Sequence, residues 1–198
     1  VCGRLPKEGR LTLTWALDDH AGIVSEFTIT RISADKFYLC SAASAHEHDL
    51  EWIEAAMPQD GSVRIDNLSQ SHGTLIIAGP KSRELLAKIT DAKLDNASFP
   101  WLSAREIEIG FSRLWALRVG YVGELGWELH APLSALNDLY DRVWKAGEEF
   151  GIADFGDRGG NAPPGARRPA SRRRTSTRKR SCRSSARATR RASKPSRA

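Results

Sequence analysis

The chain is 198 residues long, enough for one well-cored domain or two small ones. Its formal charge of +6 averages two unlike parts: residues 1–157 carry 15 Lys and Arg against 24 Asp and Glu, and residues 158–198 carry the other 15 cations and no acid. No apolar run reaches membrane-span length, and three widely spaced cysteines (Cys2, Cys40 and Cys182) make no CxxC or zinc pattern and no disulfide framework. No membrane partner is therefore expected, and a reducing, cytoplasmic setting is.

The first residues lack the order of a signal peptide, and a start at Val1 reads as a fragment. Leu11, Leu13, Trp15 and Leu17 alternate with Thr12, Thr14 and Ala16, predicting a half-buried strand with the leucines inward. Asp18-Asp19-His20-Ala21-Gly22 supplies a reversal, and Ile23 to Ile32 alternates again, so the two segments form a hairpin. A second turn at Asp35-Lys36 leads to a strand at Phe37–Cys40.

Between Ser41 and Met57 the period changes. Leu50, Ile53 and Met57 share one helical face, with Ser44 as a cap and Glu47 three residues on. Strands follow at Val63–Ile65 and Leu75–Ile77, then a helix opened by Gly79-Pro80 with Leu85, Leu86 and Ile89 inward. Phe99-Pro100-Trp101-Leu102 is an apolar connector to strands at Glu106–Ile109, Leu114–Val119 and Trp127–Ala131. The last helix runs from Leu133 to Phe150, burying Leu136, Leu139, Val143 and Trp144. This order predicts an α+β fold of mainly antiparallel sheets with packed helices, in a strand-strand-helix rhythm that hints at two related halves.

Residues 159–198 lack Leu, Ile, Val, Met, Phe, Tyr and Trp, and such a segment cannot offset its ordering entropy by apolar burial. It is expected to be disordered. Apart from Asn161, Lys179 and Lys194, its residues are Arg, Ser, Ala, Pro, Thr, Gly and Cys, all encodable with G or C at the middle codon position. That is how a GC-rich gene reads out of frame, so the tail is expected to be a frameshift product. The competing reading is an arginine-rich arm that binds nucleic acid by counterion release.

Most potential chemistry along the chain has a plain structural reading. His46 and His48 diverge on a helix and cannot chelate one metal. His20, His72 and His130 are scattered, no metal site is expected, and Ser82 has no base partner in the pattern. Asp18, Asp19 and Glu26 flank the first turn and could orient a cationic substrate or face solvent.

The most specific stretch is Leu117 to His130. Two short strands bend around Gly120, Gly123 and Gly126, and the corner carries Tyr121, Glu124 and Glu128. It is either a β-corner with solvated acids or a recognition site that glycines let a ligand approach closely.

Five motifs then stand in order: Gly9–Thr14, Ala21–Thr28, Gly79-Pro80-Lys81-Ser82-Arg83, Phe99-Pro100-Trp101 and Tyr121-Val122-Gly123-Glu124-Leu125-Gly126-Trp127-Glu128-Leu129. Together they resemble the folate-binding aminomethyltransferase domain, as in the glycine cleavage T-protein. The nearest likeness is to the C-terminal folate-binding part of dimethylglycine and sarcosine dehydrogenases. The resemblance covers residues 1–158 as an incomplete domain, with 159–198 as the tail. It implies tetrahydrofolate as cofactor and transfer of a one-carbon unit derived from an N-methyl amine. FAD would belong only to a separate upstream flavin domain, and nucleic acid is not an expected partner.

By the same resemblance, Tyr121 lines the pterin site, Glu128 accepts hydrogen bonds from the pterin, and Arg158 meets the folate carboxylates. Where the T-protein has an aspartate pair this chain has Ser25 and Glu26, which leaves Glu26 as the candidate catalytic acid and sets the chain apart from the T-protein proper. Beyond Arg158 the family continues differently, so impaired activity is expected. An inactive remnant or scaffold with a nucleic-acid-binding tail is the alternative, and a folate-dependent tRNA-modifying relative shares the fold.

Overall fold

The computed structural model describes residues 4–155 and the backbone of 184–190. In chain order it contains β1 (Leu11–Leu17), β2 (Ile23–Ser33), β3 (Lys36–Ser41), α1 (His46–Ala55), β4 (Val63–Asn67), β5 (His72–Ala78), α2 (Ser82–Ala87), β6 (Ala104–Ile109), β7 (Ser112–Leu117), β8 (Gly126–Pro132), α3 (Leu136–Gly147) and β9 (Ser184–Arg190). The fold is α+β. Its described ladders are antiparallel and form a five-stranded sheet, β1-β2-β3-β9-β4, and a four-stranded sheet, β5-β8-β7-β6.

The first hairpin forms where Asp and Gly were expected to reverse the chain. Asp18 Oδ1 accepts from the backbone N–H groups of His20 (2.9 Å) and Gly22 (2.7 Å), so this carboxylate builds the turn itself. β1, however, does not bury the face its alternation predicts. Leu11 is 4% exposed, but Leu13 and Trp15 are 52% and 45% exposed, while Thr14 and Ala16 are buried. Thr12 and Thr14 lie opposite Ile29 and Phe27, and α1 covers that face through Trp52 and Ile53. On the leucine face, Leu11 packs with Ala104 and Leu117 of the second sheet.

α1 starts without the expected Ser44 cap: a short 3-10 turn at Ala43–Ala45 leads in, and Ala45 occupies the cap position with no side-chain hydrogen bond. The last helix is likewise divided, α3 being flanked by 3-10 turns at Leu133–Ala135 and Glu148–Phe150. Its stripe of Leu136, Leu139 and Val143 is buried as spaced, and Trp144, at the stripe's edge, stacks on Tyr140 with ring centroids 5.9 Å apart.

The main core lies between the second sheet and the helices α2 and α3. It includes Ile77, Leu86, Phe99, Trp127, Leu129 and Leu139. Burying a side chain of the size of Leu129 stabilises by about 1.5–3 kcal/mol relative to exposure.

β9 falls within the tail, where composition predicts no strand. Its backbone pairs with β3 on one side and β4 on the other, the residue pairs including Tyr38↔Arg187 and Ile65↔Ala188. Ladder hydrogen bonds come from main-chain groups that these residues carry like any others, so pairing here needs no apolar sequence. The remainder of the tail, and with it the expectations of disorder and of a frameshift, lies outside the described residues.

Candidate functional site around the Leu117–His130 corner

β8 is a central strand, held by β5 on one side and β7 on the other, and its residues Gly126–Ala131 are all buried. Period-two alternation sends Trp127, Leu129 and Ala131 into the main core and turns Glu128 and His130 to the opposite face. That face looks toward the first sheet. Leu117 and Ile76 lie directly opposite Glu128, and Trp115 and Thr74 directly opposite His130.

Glu128 is 2% exposed, so the solvated-acid reading of this carboxylate is wrong. A buried carboxylate needs partners to offset its lost hydration. One is His130, whose Nε2 lies 3.3 Å from Glu128 Oε2. The other ring nitrogen, Nδ1, lies 3.0 Å from the Tyr38 hydroxyl and 3.2 Å from Thr74 Oγ1. The Tyr38 and His130 rings meet edge to face, with centroids 5.4 Å apart. Four side chains from β3, β5 and β8 thus form one buried polar cluster. His72, beside it, has its imidazole held below the usual value by burial first and by His130 second.

The corner itself is anchored from behind. Gly79 N–H donates to Leu125 O at 2.8 Å. The Ser82 hydroxyl lies 2.7 Å from Gly79 O and 2.9 Å from Leu125 O, which accounts for this serine as a structural tie. On the core face, the guanidinium groups of Arg83 and Arg118 flank the Trp127 ring at 6.0 and 5.7 Å. Arg118 donates to Phe99 O, and its ionisation is shifted down by burial and by Arg83.

The candidates from the sequence fall in different places. Tyr121 is 83% exposed at the tip of the corner, and Glu124 is exposed beside it. Glu26 is exposed on β2, accepting from Trp15 Nε1 at 3.2 Å. It lies on the same sheet face as Tyr38, which is opposite Thr30. At a rise of about 3.3 Å per residue, Glu26 and Thr30 stand roughly 13 Å apart along β2. Arg158 is outside the described residues. A cavity of about 440 Å³ lies elsewhere, lined by Thr90, Asp91, Ala92, Glu106, Ile107, Glu108 and Arg113, with none of these candidates in its wall.

His130, Tyr38 and Thr74 were not singled out in the sequence as site residues. His130 could have been, because it stands two residues after Glu128 on the same side of a strand. Tyr38 could not, since 92 residues separate it from its partner.

The family model described as the GCVT N-terminal domain matches residues 1–161. The chain belongs to that family. Mouse dimethylglycine dehydrogenase is 35% identical over 159 residues, covering 80% of this chain and 18% of that protein. An aminomethyltransferase from Natranaerobius thermophilus is 27% identical over 150 residues, covering 76% of this chain and 40% of that protein. A heterotetrameric sarcosine oxidase from Corynebacterium sp. U-96 shares the fold, with a TM-score of 0.56 at 19% identity over 76% of this chain and 69% of that one. The chain spans less than a fifth of the length of the dimethylglycine dehydrogenase that it matches. The aminomethyltransferase-type domain is therefore established, and tetrahydrofolate is the cofactor to which the family points.

Proposed function

We propose that this chain is the folate-binding part of a dimethylglycine or sarcosine dehydrogenase-type protein. In this reading it accepts a one-carbon unit onto tetrahydrofolate, and a separate flavin domain releases that unit from an N-methyl amine. The observation that carries the reading is the Glu128 carboxylate, held in the sheet interface on a rigid central strand. A carboxylate only accepts hydrogen bonds and has two oxygens with which to receive neighbouring N–H groups, as the pterin edge presents them. Seating a pterin there would take it into an apolar setting formed by Leu117 and Ile76, opposite Glu128 in the sheet.

Past Leu11, the same face of the first sheet continues through the exposed Leu13 and Trp15 to Glu26. This shelf offers aromatic and aliphatic surface for the rest of the folate, with Tyr121 at the corner tip and Arg158 as a partner for the folate carboxylates. Glu26 would be the acid near the reacting nitrogens.

Calorimetric titration of tetrahydrofolate into the full chain tests the reading. Glu128→Gln should weaken binding by about 1.5–3 kcal/mol, the worth of a hydrogen bond to a charged group, or roughly 10- to 150-fold. Unchanged affinity in the variant would remove Glu128 from the site, and no binding by the wild-type chain would defeat the folate reading.

A further inference from the structure

We infer that His130 is a positioning residue for Glu128, and that Tyr38 and Thr74 in turn hold His130. The inference deepens the folate reading and rests on Glu128 being the pterin's acceptor. An ionised Glu128, which is what accepting from pterin N–H groups calls for, has no proton to give, so in that state the 3.3 Å contact between His130 Nε2 and Glu128 Oε2 places the proton on Nε2. That requirement holds for the neutral ring and for the imidazolium alike.

In the neutral ring Nδ1 is then an acceptor, and two hydroxyls stand ready to donate to it: Tyr38 at 3.0 Å and Thr74 at 3.2 Å. The cluster is therefore directional, running from hydroxyl to imidazole to carboxylate. His130 is 3% exposed and Tyr38 5%, so the ring and its phenol partner are both buried.

The arrangement gives His130 a role beyond filling space. Glu128 lies on a strand whose cross-strand neighbours Leu117 and Ile76 are apolar, and His130 Nε2 stands 3.3 Å from its Oε2. The Nε2–H bond fixes one oxygen and with it the plane of the carboxylate, and a carboxylate with about four lone-pair positions keeps capacity for ligand donors. Because Tyr38 belongs to the first sheet and Glu128 to the second, the ligand-binding carboxylate is set by how the two sheets pack.

Three variants of the full chain test this by tetrahydrofolate titration, with circular dichroism and melting as folding checks. His130→Phe keeps a ring and loses both nitrogens, and should bind about tenfold or more weakly. His130→Gln carries an amide donor of similar reach to Nε2 and should bind within about threefold of wild type. Such rescue separates positioning from mere packing, because glutamine packs worse than phenylalanine yet restores the donor. His130→Phe binding as wild type, or His130→Gln binding as poorly as His130→Phe, would overturn the inference.

Should His130→Phe not fold, Tyr38→Phe decides instead: deleting one oxygen should weaken binding about threefold, and unchanged affinity would overturn the inference. Nitrogen-15 resonances of His130 give a second readout, independent of ligand. A proton on Nε2 supports the inference, and a ring protonated on Nδ1 alone overturns it. If the wild-type chain binds no tetrahydrofolate, the folate reading itself fails and takes this inference with it. That result differs from a variant that fails to respond in a chain that does bind.

Discussion

The hydroxyl of Tyr38 and Nδ1 of His130 lie 3.0 Å apart, joining β3 of the five-stranded sheet to β8 of the four-stranded one. Ninety-two positions separate the two residues in the chain. Their contact complements an apolar one, Leu11 against Ala104 and Leu117, and a backbone bridge between Arg10 and Ser103. The sheets are thus tied by a polar bond, a small apolar cluster and main-chain pairing.

Removing the polar tie should cost stability as well as orientation. Tyr38→Phe is expected to lower the unfolding free energy by about 0.5–1.5 kcal/mol, the net worth of one internal hydrogen bond. Urea unfolding followed by tryptophan fluorescence measures it, with the slope unchanged if only stability moves. A midpoint equal to that of wild type would show that the bond contributes nothing.

Two glycines of the corner should fail for different reasons. A Cβ at Gly126 would stand 2.5 Å from Ile77 O and 3.2 Å from Ala78 Cα, both backbone atoms of the paired strand. Gly123 has open space around it and a φ of +74°. Gly126→Ala should cost about 1–3 kcal/mol through crowding, and Gly123→Ala about 1–2 kcal/mol through left-handed strain. Asparagine tolerates that conformation, so Gly123→Asn should recover most of the loss while Gly126→Asn does not. Equal behaviour of the two asparagine variants in thermal melts would contradict this assignment.

Leucines that look equivalent in sequence should differ sharply on truncation. Leu129→Ala opens a cavity in the main core and should cost about 2–5 kcal/mol. Leu13→Ala, at a position 52% exposed, should stay within about 0.5 kcal/mol in the same assay. A large loss at Leu13 would mean that the shelf it belongs to is covered in solution.

The lowered His72 pKa fixes the sign of one pH effect. The unfolded chain binds the proton at the ordinary value near 6.5, and the folded chain binds it only at lower pH. Between those values the unfolded state holds more protons, so stability is full above about pH 6.5 and falls as pH drops through the folded value. His72→Gln should flatten this part of the stability profile measured by urea unfolding from pH 5 to 8. A profile of unchanged slope in the variant would assign the effect to another group.

Much of the fold was legible because local patterns agreed with it. Alternation at Ile107 and Ile109 and helical spacing at Leu136, Leu139 and Val143 each match one buried face. The turn at Asp18–Gly22 follows from its own chemistry, a carboxylate satisfying nearby N–H groups. The corner too was visible, since its glycines and flanking strands are local features.

Three features were not legible, and each depends on what packs against what. β1 alternates cleanly, but both of its faces meet structure, and α1 covers the side bearing Thr14 and Ala16. β9 carries no apolar signal, and its pairing with β3 and β4 runs through main-chain groups that any residue but proline supplies in full. The residues of the corner left Glu128 open between a solvated acid and a recognition group, since a sequence shows a carboxylate without showing its partner.

The sequence by itself determined the order of elements from β1 to α3 and the antiparallel α+β class, because these rest on periodicity and turn chemistry within short windows. Only the tertiary structure decided that Glu128 is buried, with His130 Nε2 beside its carboxylate and the Tyr38 hydroxyl at the other ring nitrogen. The physical reason is distance along the chain. A buried charge is stabilised by groups that folding brings to it, and here the decisive hydroxyl comes from the other sheet.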